Sequence, residues 1–250
     1  MTPPYYEDSA VQLFLGDCRD ILPQLGPVDH VITDPPYESE AHTLQRRVQR
    51  AVSADERYGR VVAVEPLEFA PMDAESRKAV SALIGGKASR WVLVFCQIEG
   101  APLWRASLES AGAVYRRTCV WVKPDGMPQL TGDRPGMGYE ALLAMHAKGG
   151  SRWNGGGSHG VWIVPKNDGA GKNPHPTQKP EPLMADLVAK FTDPGDLILD
   201  PFAGSGTTAV AAKRLGRRCI LIEKEEKCCE VAAKRMSQGA LNLFSIETPA

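Results

Sequence analysis

The sequence has little that points to metal, membrane or export. Its six cysteines (Cys18, Cys96, Cys119, Cys219, Cys228 and Cys229) are scattered over 250 residues. No Cys-x-x-Cys pair and no neighbouring histidine cluster accompanies them, so no metal site is expected. Cys228-Cys229 lie in a helical pattern and read as packing residues. No apolar run approaches the ~18 residues of a membrane helix. The opening Met1-Thr2-Pro3-Pro4-Tyr5-Tyr6-Glu7-Asp8 lacks the basic-then-apolar order of an export signal. These absences lead to the expectation of a cytoplasmic, reduced protein with no membrane partner. Net charge is only −1, so any surface for nucleic acid must be local. No internal repeat or low-complexity tract is present.

What is present is enough apolar residue, 43%, for one substantial core. Strand patterns repeatedly end in an acid. Val11–Leu15 alternates and stops at Gly16-Asp17, and Val28–Thr33 is followed by Asp34. Leu197–Asp200 and Arg218–Glu223 end the same way. Between and around them, helical spacing predicts helices over 18–25, 73–84, 99–111, 181–191, about 207–215 and 225–236. Trp91–Cys96 is continuously apolar, as in a strand buried on both faces. Val114–Val122 is a further strand. The pattern is that of an α/β protein with a mostly parallel sheet, helices on both faces and one antiparallel strand.

Asp34-Pro35-Pro36-Tyr37 is the most constrained of these strand ends. Two successive prolines can neither continue a central strand nor open a helix, because they donate no backbone N–H. The result is a stiff extended turn at the carboxyl end of a strand. It presents a carboxylate, a backbone carbonyl and an aromatic face together, at the sheet edge where open α/β sheets bind ligands.

Two segments break the regular pattern. Residues 38–71 lose hydrophobic periodicity and carry Arg46, Arg47 and Arg50 with no acid between Ala41 and Ala54. They read either as a solvated helix face or as a mobile loop contacting phosphates. Residues 126–172 are rich in glycine and proline and include Arg134, Arg152, Trp153 and Asn154. Two strands are expected to cross this stretch, Tyr139–His146 and Val161–Val164. The rest reads as a surface excursion or as a small target-recognition insertion whose Arg, Trp and Asn contact bases and phosphates.

A second constellation lies near the end: Asp200-Pro201-Phe202-Ala203-Gly204-Ser205-Gly206-Thr207-Thr208, a glycine-rich loop between a strand and a helix. No Lys-Ser/Thr follows it, so it is not a phosphate-cradling Walker loop, and it lacks a full Gly-x-Gly-x-x-Gly. Glu223 ends the next strand about twenty residues on, the spacing at which a carboxylate grips ribose hydroxyls. A glycine turn and a ribose acid without phosphate-binding residues fit S-adenosylmethionine.

Together, Asp34–Tyr37 and Asp200–Thr208 resemble the motifs of the amino-group DNA methyltransferases, which modify N6 of adenine or N4 of cytosine. The order, catalytic motif first and cofactor motif last, looks like the permuted beta class. His175-Pro176-Thr177-Gln178-Lys179-Pro180 and Leu15-Gly16-Asp17-Cys18 resemble further segments of that family. The resemblance runs from about residue 11 to 236 and implies a single Rossmann-like methyltransferase domain over 1–250. It implies that Asp34, Pro35, Pro36 and Tyr37 are catalytic. It also implies that the cofactor is bound by Asp17, Cys18, Asp34, Thr177, Lys179, Phe202, Ala203, Ser205, Thr207, Thr208 and Glu223, with Asp200 and the Gly204–Gly206 backbone along its methionine part. Asp17 is equally an N-cap for the helix that follows, and Lys179 a surface residue at a helix start. Aspartate at the first motif position favours adenine in this family. The expected function is site-specific N6-adenine methylation of double-stranded DNA, by a homodimer given so little protein to embrace a duplex. The alternatives are N4-cytosine methylation, a non-catalytic DNA-binding subunit, or methylation of RNA or protein glutamine.

Overall fold

Trp91-Val92-Leu93-Val94-Phe95-Cys96 is apolar at every position because its strand has no solvent face. The structure is a computed structural model that describes residues 2–37, 72–126, 135–166 and 178–241. In it Trp91, Leu93 and Phe95 face one helical layer, and Val92, Val94 and Cys96 face the other. That alternation is the period-two geometry of a strand. The strands are β1 (Tyr6–Glu7), β2 (Val11–Leu15), β3 (His30–Thr33), β4 (Trp91–Cys96), β5 (Val114–Val122), β6 (Tyr139–His146), β7 (Val161–Ile163), β8 (Leu197–Asp200) and β9 (Arg218–Glu223). The helices are α1 (Cys18–Ile21), α2 (Ala74–Gly85), α3 (Ala101–Ser110), α4 (Glu181–Phe191), α5 (Thr207–Arg214) and α6 (Glu226–Leu241).

Among the described residues these strands form one nine-stranded sheet in the order β1-β2-β9-β8-β3-β4-β6-β5-β7. Helices α1, α2 and α3 pack with Phe14, Val31, Val94 and Leu143 on one face. Helices α4, α5 and α6 pack with Leu13, Ile32, Leu93 and Leu142 on the other. β2, β9, β8, β3 and β4 are mutually parallel. The register Leu15↔Glu223 and Asp200↔Leu221 brings their carboxyl ends to one edge.

Two sequence expectations need correction. Two strands run against the sheet rather than one: β6, between β4 and β5, and the two-residue β1 at the other edge. The helix expected over 18–25 is four residues of α1 followed by a 3₁₀ turn over Leu22–Gln24, where Pro23 removes an amide donor. Tyr139–His146 is the strand expected within the 126–172 stretch; it lies in the interior of the sheet and is buried from Ala141 to His146. The arginine-bearing segment 38–71, and the parts of the insertion over 127–134 and 167–172, lie outside the described residues.

Two carboxylate networks, one partly buried and one buried, fasten the layers. At the amino edge of the sheet, Asp196 accepts hydrogen bonds from Arg90 (2.9 Å) and contacts His30 (2.8 Å), and Asp193 takes a second bond from Arg90 (3.0 Å). At the carboxyl edge, Asp200 is 3% exposed. It accepts from the Thr33 hydroxyl (2.9 Å), the Thr208 hydroxyl (2.6 Å) and the Phe202 N–H (3.1 Å), so β3, β8 and α5 meet on one carboxylate. Burial pushes its carboxyl up to about 6, against the pull of these three donors.

Two measurements check this frame. Leu93→Ala, at a fully buried position of β4, is expected to cost about 2–5 kcal/mol in urea unfolding. A loss under about 1 kcal/mol contradicts a close-packed centre there. Native Asp200 keeps its proton to about pH 6, whereas the unfolded chain releases it near pH 4. Wild-type stability therefore falls relative to Asp200→Asn as pH rises through that window, by up to about 3 kcal/mol. A difference that stays flat between about pH 4 and 7 contradicts the assignment.

Candidate active site

Strand β3 delivers Asp34 to the carboxyl edge, and the two prolines carry the chain out to Tyr37. β8 delivers the glycine loop beside it. A cavity of about 500 Å³ lies between them and is lined by both motifs. Asp17, Cys18, Lys179 and Glu223 reach the same cavity, as does every residue from Asp200 to Thr208 except Gly206. Gly206 faces the other way, at φ 78°, and a Cβ there would stand 2.8 Å from Met236 of α6. Gly204, at φ 51°, has open space where a side chain would be.

The cofactor-motif half is held by its neighbours. Glu223 Oε2 accepts the Gly204 N–H (2.8 Å), and its Oε1 accepts the N–H groups of Lys224 and Glu225 (both 2.9 Å). An ionised carboxylate offers about four acceptor positions, so capacity toward the cavity remains. Asp17 caps α1 through the Arg19 N–H (2.8 Å) and forms a fork with the Arg19 guanidinium (3.0 and 2.6 Å). That guanidinium holds its pKa below the usual carboxylate range. The N-cap reading of Asp17 is therefore realised at a residue that also lines the cavity. Cys18 is buried, and burial pushes its thiol up to about 12.

Two residues that sequence reading passed over secure the loop. Arg235 of α6 donates to the Ser205 carbonyl (2.6 Å) and to the hydroxyls of Ser205 and Thr207 (both 3.1 Å), and pairs with Glu181 (2.7 Å). The Ser205 hydroxyl donates to Gln178 Oε1 (2.9 Å).

The catalytic-motif half is a cluster of charges in an aromatic shell. Lys179 is no surface residue: its side chain is 10% exposed and its ammonium binds Asp34 Oδ2. Nζ also lies 3.3 Å from Glu140 Oε2 and from the Tyr37 hydroxyl. The rings of Phe95, Tyr37 and Trp121 stand 5.0, 5.4 and 5.9 Å away. The Tyr37 hydroxyl donates to Glu140 Oε2 (2.7 Å), and Lys123 donates to Glu140 Oε1 (2.8 Å). Burial works against the charge on Lys179, but Asp34 and Glu140 outweigh it and its pKa is raised. Burial would likewise raise Glu140, yet Lys179 and Lys123 bring it down to about 2. Burial lifts Asp34, with Lys179 opposing the lift and Glu140 adding to it. The cluster thus holds two carboxylates and two ammonium groups, and Asp34 Oδ1 is enclosed with no hydrogen-bond partner.

The signal for Glu140 was available, since it is an acid in an otherwise apolar strand, Glu140-Ala141-Leu142-Leu143. Lys123, read as part of a turn, directly follows Val122, the last residue of β5.

Arg152, Trp153 and Asn154 are placed elsewhere. The Asn154 side chain donates to the Thr192 carbonyl (2.9 Å) and to Asp193 (3.0 Å), and the Trp153 ring packs 4.7 Å from Phe191. The Arg152 carbonyl accepts from Trp91 at the start of β4 (2.7 Å). All three sit at the amino edge, across the sheet from the cavity, where they fasten a loop to the end of α4. Arg46, Arg47, Arg50, Arg134 and Thr177 lie outside the described residues. Among the described residues no group of histidine, cysteine and acidic side chains could hold a metal, and no helix is long and apolar enough to cross a membrane.

Comparison with known proteins agrees with this arrangement. The DNA methylase family of N6 and N4 amino-methylases is matched by residues 28–234. The Type II methyltransferase M2.LlaDCHI of Lactococcus lactis subsp. cremoris is 29% identical, over 96% of this chain and 94% of its own. The Type II methyltransferase M2.DpnII of Streptococcus pneumoniae is 57% identical over a shorter stretch, 27% of this chain and 24% of its own. Among solved structures, the M1.HpyAVI–SAM complex superposes with a TM-score of 0.66 at 27% identity, covering 90% of this chain and 98% of that one. The cytosine-N4-specific PvuII methyltransferase shares the fold alone, with a TM-score of 0.72 at 15% identity over 94% of this chain and 89% of that one. The chain belongs to the DNA methylase family, the S-adenosylmethionine-dependent methyltransferases that act on N6 or N4 amino groups of DNA.

Proposed function

We propose that the protein methylates N6 of an adenine flipped out of double-stranded DNA, at a specific site. The observation that carries this reading is the placement of Asp34, the Pro35 backbone and Tyr37 on the cavity that also receives the glycine loop. The residues present fit the family's cofactor. The cavity volume of about 500 Å³ is within the usual range for small-molecule sites. Gly204 leaves open space beside its backbone, and Glu223 retains acceptor capacity at the strand end. Glu223 would hold the ribose hydroxyls, Phe202 would pack near the adenine ring and the Gly204–Gly206 backbone would line the methionine part. When bound, S-adenosylmethionine supplies a methyl group activated on a sulfonium.

The chain's own residues address the other reactant. An exocyclic amino group is a weak nucleophile because its lone pair is delocalised into the ring. The Asp34 carboxylate and the Pro35 carbonyl would each accept one of its hydrogens. That favours a tetrahedral nitrogen and strengthens as positive charge develops on it, which is the requirement for catalysis. Asp34 is then the acceptor for the departing proton. Such a pocket admits only a base removed from the duplex. Tyr37 offers a face for it, worth about 1–3 kcal/mol by analogy with single-strand binding. Its hydroxyl is fixed by Glu140.

Adenine rather than cytosine rests on aspartate at position 34, the first position of the motif. The two Type II methyltransferase relatives support a site-specific reaction of the restriction-modification kind. A homodimer is proposed on the chain's size, and edge strand β7 exposes Val161 and Ile163.

Three measurements test the reading. Duplex DNA incubated with labelled cofactor and digested to nucleosides is expected to carry label in N6-methyladenine; label in N4-methylcytosine refutes the adenine assignment. Asp34→Ala should keep cofactor binding within about threefold while turnover falls at least about a hundredfold. Unchanged turnover removes Asp34 from the reaction. Light scattering should show a dimer in the presence of DNA, and a monomer with and without DNA contradicts it.

A further inference from the structure

The base-binding half of the site already contains a donor where the target amino group has to go. We infer that the Lys179 ammonium stands in for that amino group on Asp34, and that Glu140 receives the ammonium when the base enters. The inference rests on the proposed amino-group reaction and adds to it a positioning role for Glu140.

The two oxygens of Asp34 are unlike. Oδ1 is enclosed and partnerless, so the 27% exposure of this side chain lies on its other atoms. Oδ2 is bound by the Lys179 ammonium. An N–H donor therefore occupies the acceptor that an incoming amino group needs. The ammonium is compact, with three donors on a flexible stem. Its acceptors here are Asp34 Oδ2, the Tyr37 hydroxyl and Glu140 Oε2, the latter two at 3.3 Å. A small displacement toward Glu140 clears Asp34 while the ammonium keeps a carboxylate partner. A buried ammonium that had to leave its only carboxylate would be strongly disfavoured.

Glu140 is built to receive it. The Tyr37 O–H (2.7 Å) and Lys123 (2.8 Å) hold its two oxygens, so the carboxylate is fixed before any transfer. The rings of Phe95, Tyr37 and Trp121 stand around the ammonium. The adjacent Gln178 contacts the glycine loop through Ser205, which leaves Lys179 to the base side. Base entry is thus an exchange of donors on Asp34, in which every buried charge stays paired.

Steady-state methylation of plasmid DNA with labelled cofactor tests this, using wild type, Glu140→Gln, Lys179→Met and the double variant, with cofactor binding followed by calorimetry. Glu140→Gln is expected to lower kcat at least about tenfold, while the KM for DNA and the Kd for cofactor stay within about threefold. The double variant is expected to be no slower than Lys179→Met, because without the ammonium Glu140 has nothing to receive. Unchanged kcat in Glu140→Gln overturns the inference. So does a Glu140→Gln loss that adds in full to that of Lys179→Met, which marks an independent structural role. If Lys179→Met does not fold, Lys179→Gln takes its place, and Glu140→Asp supplies a separate check. It keeps the charge and should retain more turnover than Glu140→Gln; equal loss in both overturns the exchange. Wild type that transfers no label to DNA refutes the proposed function and this inference with it, whereas active wild type isolates the role of Glu140.

Discussion

Asp200 accepts hydrogen bonds from Thr33, which precedes Asp34 on β3, and from Thr208, in the first turn of α5 behind the glycine loop. Thr33 and Asp200 are 167 positions apart in the chain. Their contact sets the spacing between the Asp34–Tyr37 turn and the Asp200–Thr208 loop, because each motif starts within one residue of a partner in this bond. Parallel pairing of β3 with β8 brings the strands together, and the buried carboxylate fixes the register of what leaves them. The site therefore depends on a polar contact inside the sheet edge, where removing any donor leaves an acceptor without water to replace it.

The catalytic half depends on a second balance, among Asp34, Lys179, Glu140 and Lys123. No member of this set is tolerable alone at such burial, and together their charges cancel. Low dielectric strengthens each pairing and makes each loss costly. The arrangement keeps a strong acceptor beside a shell of aromatic rings before any base arrives. It also explains why the pKa values of Lys179 and Glu140 move apart: each favours the charged form of the other.

The legible parts of the sequence were those whose chemistry is local. Asp34-Pro35-Pro36-Tyr37 announces a stiff turn in four residues. The loop from Asp200 to Thr208, with Glu223 on the next strand, announces a glycine turn answered by an acid. The alternating and continuous apolar runs placed most strands, and both faces of the sheet were covered as expected. Contacts over long separations were not legible. Glu140 meets Tyr37 across 103 positions and Lys179 meets Asp34 across 145, and nothing near either residue states its partner. β6 was legible as a strand, but its place between β4 and β5 was not, because both neighbours come from outside the glycine-rich stretch that contains it. Arg152, Trp153 and Asn154 looked like base-contacting residues by type. The Asn154 side chain satisfies the Thr192 carbonyl and Asp193 at the end of α4, and the Trp153 N–H the Gly156 carbonyl, uses that residue type does not distinguish from recognition.

Family membership places the chain among enzymes that methylate amino groups of DNA, and the proposed reaction gives Asp34 the central part in that chemistry. A crystal structure with S-adenosylhomocysteine and duplex DNA containing the recognition site addresses this most directly. The account predicts an adenine in the cavity, stacked on Tyr37, with its amino nitrogen within about 3.2 Å of an Asp34 oxygen. A target base held elsewhere, or one in the cavity whose amino group faces away from Asp34, would contradict it.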